Sequence, residues 1–438
     1  MSDTHAQTVA YVRDSMTEQR EPPVAQSGAV KWTRENLFST PLNIALTIVG
    51  LWLIWVILSH VLPWAFMGIW DADSLSQCRE IRDELYGADV SVACWAVISE
   101  RWEQLLFGFY PPELYWRPVL AFVLFLAAIA PILFASLPRK MLWLSAASPF
   151  VMFWLIWGGS LWVPICVALG FAVGWAAVRF AGPKVGALGG ILLAIALPVL
   201  YWALIAEPLA GALQSIIPLG LESVESREMG GFMLALIIGI AGIVLSLPLG
   251  IMLALGRQSD LFIINKSSVI FIEVIRGVPL IVWLFTASLL LNYFLPPGTN
   301  FDLMLRVIIM VTLFASAYIA EVVRGGLAAL PKGQYEAGDA LGLDYWKSMR
   351  LVVLPQALKI SIPGIVNTFI GLFKDTTLVV FIGLLDPIGL SNAIRASTEW
   401  NGIYWELFVF IGLCFFIFCF SMGRYSLFLE KKLRREHR

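Results

Sequence analysis

Four ionisable residues sit where an apolar sequence should have none. Glu273 and Arg276 fall inside one long apolar run, and Lys374 and Asp375 inside another. A charged side chain near mid-bilayer costs about 2.5–3.5 kcal/mol on insertion scales, so such groups face protein or water. With Thr376 beside them, they are candidates to line or brace a polar path across a membrane. Glu273 and Arg276 lie three apart on one helix face. A second reading is therefore open, in which the two snorkel to the nearer interface and pair with each other. Lys374 and Asp375 are adjacent and cannot share one face of a straight helix. They mark an expected break, which membranes tolerate only beside a cavity or other protein.

Other chemistry is thin. The five cysteines, Cys78, Cys94, Cys166, Cys414 and Cys419, form no CxxC pair, and the three histidines, His5, His60 and His437, are far apart. No metal site is expected. No nucleophile–base motif stands out, so no catalytic residue is assigned. No GxxxxGK[ST] phosphate loop occurs, so ATP and its Mg are not expected on this chain. Cys78 and Cys94 share one polar segment and are expected to form a disulfide if that segment lies on the oxidising side. Such a bridge gains about 3 kcal/mol in the chain-entropy account. The alternative is two free thiols. The remaining cysteines should behave as small apolar residues.

These residues need elements to hold them, and the composition says which. Of 438 residues, 59% are hydrophobic and 14% charged, and the mean hydropathy is +0.80. Soluble domains are about half apolar and about a quarter charged. Lipid as the solvent explains both departures. Apolar runs of spanning length cover 41–62, 118–137, 141–157, 162–181, 185–206, 230–255, 268–291, 303–320, 360–384 and 403–425. The expected fold is an all-α transmembrane bundle of ten spans. The second pair of runs, 141–157 and 162–181, could instead be one re-entrant hairpin. With the N-terminus inside, the inner segments hold 21 Lys and Arg and the outer ones 6, which places both termini in the cytoplasm. Residues 1–40 read as a polar tail, and the run after it lacks a small-residue cleavage site. Trp64, Trp70, Trp116, Trp202 and Trp405 fall near expected interfaces and read as aromatic anchors. Pro248 and Pro279 lie within spans and could kink them.

Two polar segments are too long for simple turns. Residues 63–117 lie outside and carry nine acids against four bases. Residues 321–359 lie inside, and a loop of that length needs a task. Within it, Gln334 to Leu341 suits a short helix. Gly342 supplies the positive φ of a tight helix end. Asp344 caps a second helix that carries Tyr345, Trp346, Met349, Val352 and Val353, and Pro355 closes the element. Large apolar groups on a cytoplasmic hairpin suggest a partner surface. A bland amphipathic surface hairpin is the other reading.

The run Glu336-Ala337-Gly338, three residues, Gly342, nine residues, Val352, one residue, Leu354-Pro355 resembles the EAA signature of bacterial ABC importer permeases. Gly338 stands where the second Ala is usual, and Val352 where Ile is. Residues 273–285 (EVIRGVPLIVWLF), 316–327 (SAYIAEVVRGGL) and 373–377 (FKDTT) resemble segments of the polar amino-acid branch, with Val278 where Thr is common. The resemblance covers about 228–430, five expected spans. It implies an inner-membrane permease subunit of an ATP-driven L-amino-acid importer, with Glu336, Ala337, Gly338, Gly342, Leu354 and Pro355 coupling it to a separate ATPase that holds ATP and Mg. It also implies a second permease subunit and a periplasmic amino-acid-binding protein as partners, and no nucleic acid. The expected organisation is a tail (1–40), an extra N-terminal segment (41–227) with its external loop (63–117), the permease core (228–430) with the coupling loop (321–359), and a basic tail (431–438). Residues 1–227 are expected to be dispensable for the path itself. The rival readings are a secondary transporter driven by an ion gradient, which would use the intramembrane charges as ion sites, and a receptor or scaffold.

Overall fold

The computed structural model describes residues 28–134, 136–290, 293 and 302–435. The first 27 residues, most of the 292–302 connection and residues 436–438 lie outside the described part. The described chain is almost wholly helical. Among the described residues, eight helices are long and apolar enough to cross a membrane, or up to ten spans if each of two bent helix pairs is one span. The 139–157 and 162–186 segments each reach spanning length on their own.

Four boundaries differ from the hydropathy reading, each for a physical reason. The run at 268–291 is two helices, Phe262–Gly277 and one from Leu280, bent by 102°. Pro279 has no N–H to donate and forces Val278 out of the helical region, to φ −123 and ψ 135. The run at 185–206 continues as a second helix, Ala206–Ile216, bent by 50°. The helix from Leu303 runs on to Ala328. The free connection is therefore 329–344, much shorter than 321–359. Glu321 and Arg324 made its last turns look like loop, but both are held in ion pairs. Lastly, the terminal helix extends from Trp405 to Arg435, so the basic tail begins as helix. Pro248 sits inside the unbroken helix Gly231–Arg257.

The core follows from small residues and branched aliphatics on facing helices. One buried cluster joins Ile238, Val307, Val311 and Leu372, and a second joins Ala254, Ile272, Ile319 and Val323. Together they pack the helices Gly231–Arg257, Leu303–Ala328 and Leu354–Asp375 into one unit.

The segment 63–117 is not a loose loop. It folds into two helices, Leu75–Leu85 and Ala96–Phe107, and a disulfide joins Cys78 to Cys94 with their Cα atoms 6.1 Å apart. It shares a buried cluster with the core: Val97, Leu105, Phe232, Leu390, Trp400 and Leu407. Backbone bonds stitch the two together. The Phe109 amide donates to the Glu228 carbonyl at 2.9 Å, and the Leu75 amide to Glu399 at 2.8 Å. The helix Trp116–Leu133 meets the last helix through the Tyr425 hydroxyl, which donates to the Leu133 carbonyl at 2.7 Å. The helix Pro41–Phe66 buries no residue within this chain.

Candidate functional site: the 329–344 connection and the charges above it

The short helix Gly333–Ala340 ends in a Schellman motif. The Leu343 amide donates to the Gly338 carbonyl at 3.1 Å, and the Gly342 amide to Asp339 at 2.9 Å. Both bonds require the intervening residue to be left-handed, and Gly342 has φ +67. Asp344 then starts the next helix. Its Oδ1 accepts from the Lys347 amide at 2.9 Å, and its Oδ2 lies 2.9 Å from Lys347 Nζ. The Lys347 side-chain hydrogen bond, followed by its amide, holds the Asp344 carboxyl below the usual range.

The two short helices lie close because Gly338 has no side chain. A Cβ there would collide with Ser348 Oγ and stand 3.2 Å from Ser348 Cβ. The glycine that departs from the EAA pattern thus has a local cause in Ser348. The loop is mounted firmly. Met349 and Val353 are buried in the core cluster with Ile272, Ile319 and Leu327. Gln356 Nε2 donates to Gln334 Oε1 at 2.9 Å, tying the hairpin's two arms.

Pro355 does not close the element. The chain passes through a wider turn at Met349–Val353 into the helix Leu354–Asp375, so that helix begins in the loop itself. A proline in the first turn lacks only a donor that has no helical partner there. A push on the loop is therefore a push on the end of a spanning helix. The outward face carries Glu336 and Ala337, both exposed. Leu341 (76% exposed) and Trp346 (70%) stand beside them. These exposed apolar groups stand on a firm mount, as a surface suited to a partner would.

Next to this mount lies a charged cluster. Arg257, at the end of its helix, reaches Glu321 Oε1 at 2.6 Å and Glu273 Oε1 at 3.0 Å. Glu321 Oε2 also meets Arg324 at 3.0 Å and Arg276 at 3.5 Å. The Arg276 guanidinium stands over the Tyr318 ring, 5.5 Å from its centroid. Three helices are clamped at one end by these five side chains. Glu273 and Arg276 do not pair with each other; each is taken by another helix. Glu321, Arg257 and Arg324 were missed as site residues. The available signal was the three-residue spacing of Glu321 and Arg324.

Lys374, Asp375 and Thr376 are elsewhere. They end the helix that starts at Leu354, about 30 Å along its axis at 1.5 Å per residue. There the helix tightens into the turn Thr376–Ile382. Lys374 is exposed and Asp375 half-buried. Neither makes an ion pair among the described residues. Thr376 is buried and donates to the Phe373 carbonyl at 2.8 Å. The structure thus separates Glu273 and Arg276 from Lys374 and Asp375.

The described chain is thus an almost wholly helical bundle of membrane-spanning length with a firmly mounted connection at 329–344. Residues 246–435 match the family described as binding-protein-dependent transport system inner membrane component. The chain is 56% identical over 439 residues, 100% of both chains, to the glutamate/glutamine/aspartate/asparagine transport system permease protein BztC of Rhodobacter capsulatus. It is 40% identical over 410 residues, 93% of both chains, to the inner membrane amino-acid ABC transporter permease protein YhdY of Escherichia coli. A solved amino acid ABC transporter with histidines overlaps 46% of this chain and 91% of its own, at 28% identity and a TM-score of 0.41. The chain belongs to the family of binding-protein-dependent, inner-membrane ABC importer permeases.

Proposed function

We propose that this chain carries polar L-amino acids, with acidic amino acids and their amides first, as one of two permease subunits of an ATP-driven importer. The whole-length match to the glutamate/glutamine/aspartate/asparagine permease supports this reading. A periplasmic binding protein delivers the amino acid, and a separate cytoplasmic subunit binds ATP and Mg. The loop residues Glu336, Ala337, Gly338 and Gly342, with Leu354 and Pro355 behind them, transmit the ATPase stroke into the helix Leu354–Asp375. Both termini lie in the cytoplasm, consistent with the excess of Lys and Arg in the segments then placed inside. Lys374, Asp375 and Thr376 supply polar groups on the path, and the Glu273–Arg257–Glu321–Arg276 cluster braces its inner end.

The test is uptake of labelled glutamate, glutamine, aspartate and asparagine in cells lacking this chain and then complemented with it. The expected result is uptake of these four, competed by one another, and lost on ATP depletion at a fixed membrane potential. Uptake that survives ATP depletion would instead mean a secondary transporter.

A further inference from the structure

At the end of the bundle opposite the coupling loop, a groove of about 530 Å³ opens between Trp64, Arg79, Ser91, Trp405, Glu406 and Phe408. Its depth in the membrane follows from the chain. Trp64 is near the end of the span Pro41–Phe66, and Trp405 begins the span Trp405–Leu433. The groove therefore sits at the hydrocarbon–water boundary, where aromatic side chains anchor.

Its charges are unusual for that place. Glu406 lines the groove but is only 8% exposed. Its Oε1 accepts the Cys94 amide at 2.9 Å, and its Oε2 accepts nothing among the described residues. That second oxygen is not sealed off from the groove, so a donor arriving there can reach it. Arg79 lies exposed on the same groove and forms no ion pair among the described residues. The disulfide fixes both groups. Arg79 follows Cys78, and Cys94 is the residue that holds Glu406. Around them the walls are apolar, and Trp405 is 72% exposed.

We propose that this groove binds a phospholipid whose headgroup carries a primary ammonium beside its phosphate. The ammonium donates to Glu406, the phosphate lies against Arg79, and an acyl chain follows Trp64, Trp405 and Phe408. A primary ammonium fits better than a quaternary one. The free oxygen of Glu406 can accept an N–H, which a primary ammonium carries and a trimethylammonium lacks. A free amino acid shares the ammonium and the anionic oxygen, but has no chain for the apolar wall. The lipid would cement the disulfide-stapled segment to the last helix.

The experiment is native mass spectrometry of the full-length chain in detergent. It is offered an equal mixture of phosphatidylethanolamine, phosphatidylglycerol and phosphatidylcholine with identical acyl chains. The expected result is one retained phosphatidylethanolamine, preferred about tenfold over the other two, as for a charge-assisted hydrogen bond. Glu406→Gln keeps an oxygen for the Cys94 amide and should abolish the preference. Arg79→Gln, on the exposed rim, should lower retention of all three lipids together and leave the preference. Intact mass without reductant reports whether the disulfide survives in each variant. Equal retention of the three lipids by the native chain overturns the proposal, as does an unchanged preference in Glu406→Gln. If Glu406→Gln fails to fold, unchanged retention in Arg79→Gln overturns it. Displacement of the lipid by excess free L-glutamine would assign the groove to a soluble zwitterion and overturn the lipid reading.

Discussion

Gly338→Ala tests whether the two short helices of the coupling loop are held at a set spacing. The added Cβ meets Ser348 Oγ, which can rotate aside, and Ser348 Cβ at 3.2 Å, which cannot. Ser348 is itself buried, and the next residue, Met349, is anchored in the core. The loop must therefore move rather than the core. Overpacking of this kind costs about 1–3 kcal/mol. Ser348→Gly alone removes the obstacle and costs about 0.5 kcal/mol in helix propensity. The double variant Gly338→Ala/Ser348→Gly moves the small residue to the other helix and restores the spacing. Its thermal stability and ATPase retention should exceed the sum of the single effects by about 1–2 kcal/mol, against an additivity error of about 0.5 kcal/mol. Gly338→Ala also gains about 1 kcal/mol of helix propensity, so the cycle and not the single variant decides: strictly additive single variants would refute the spacing argument.

Three further outcomes follow from the structure. Glu321→Gln removes the negative charge shared by three arginines; Glu321 is 17% exposed and Arg257 25%, so the loss should lie between surface and buried pairs, at about 1–3 kcal/mol. Thermal unfolding measures it, and the double variant Glu321→Gln/Arg324→Gln should recover part of the loss by removing one orphaned cation. Asp386 caps the helix Pro387–Arg395 and is fully buried. Burial pushes its carboxyl up to about 6 despite the Gly389 and Ile388 amides that donate to it. The native state thus holds a proton that the unfolded chain has lost, and this group makes stability fall as pH rises from about 4 to about 6. The full effect is about 3 kcal/mol. Asp386→Asn keeps the cap and should be the more stable protein above that window, with the gap closing toward pH 4; parallel pH profiles for the two would contradict this. Finally, Cys78→Ser/Cys94→Ser should lower the unfolding temperature of the full chain in the absence of reductant, and reductant should then have no further effect on it.

Much of this was legible in the sequence. Spans of Leu, Ile, Val and Phe declare themselves because lipid demands them. Gly342 and Asp344 declared the helix end and the next cap, because only certain residues satisfy those backbone groups. The misreadings share one origin, which is that a local rule met a distant partner. Pro355 looked like a stop because the wide turn before it is not encoded in any short pattern. Glu321 and Arg324 looked like loop because the Arg257 that neutralises Glu321 is 64 residues away. Glu273 and Arg276 looked like a pair because their spacing on one helix is visible, whereas their true partners are on others. The fit of the 63–117 segment against Trp400 and Leu407 was beyond reach for the same reason. Nothing in its own alternation of polar and apolar residues points to a surface 300 residues on, where Trp400 Nε1 donates to Glu100 Oε2.

The measurement closest to the central claim is made on Gly342→Val and Glu336→Ala. For each, the level of the chain in the membrane, the amount of ATPase retained on purification, and ATP-driven uptake are measured on the same membranes. Gly342 has φ +67 and open space where a Cβ would go. Valine there introduces backbone strain of about 1–2 kcal/mol and no clash, too little to unfold a protein stabilised by about 5–15 kcal/mol. Glu336 is exposed, and its loss leaves no cavity, so stability should move by less than about 0.5 kcal/mol. A coupling loop predicts native membrane levels in both variants, with ATPase retention or uptake down at least about tenfold, as expected when a charge-paired contact worth about 2–5 kcal/mol is lost. Full uptake with the ATPase still bound would contradict the account.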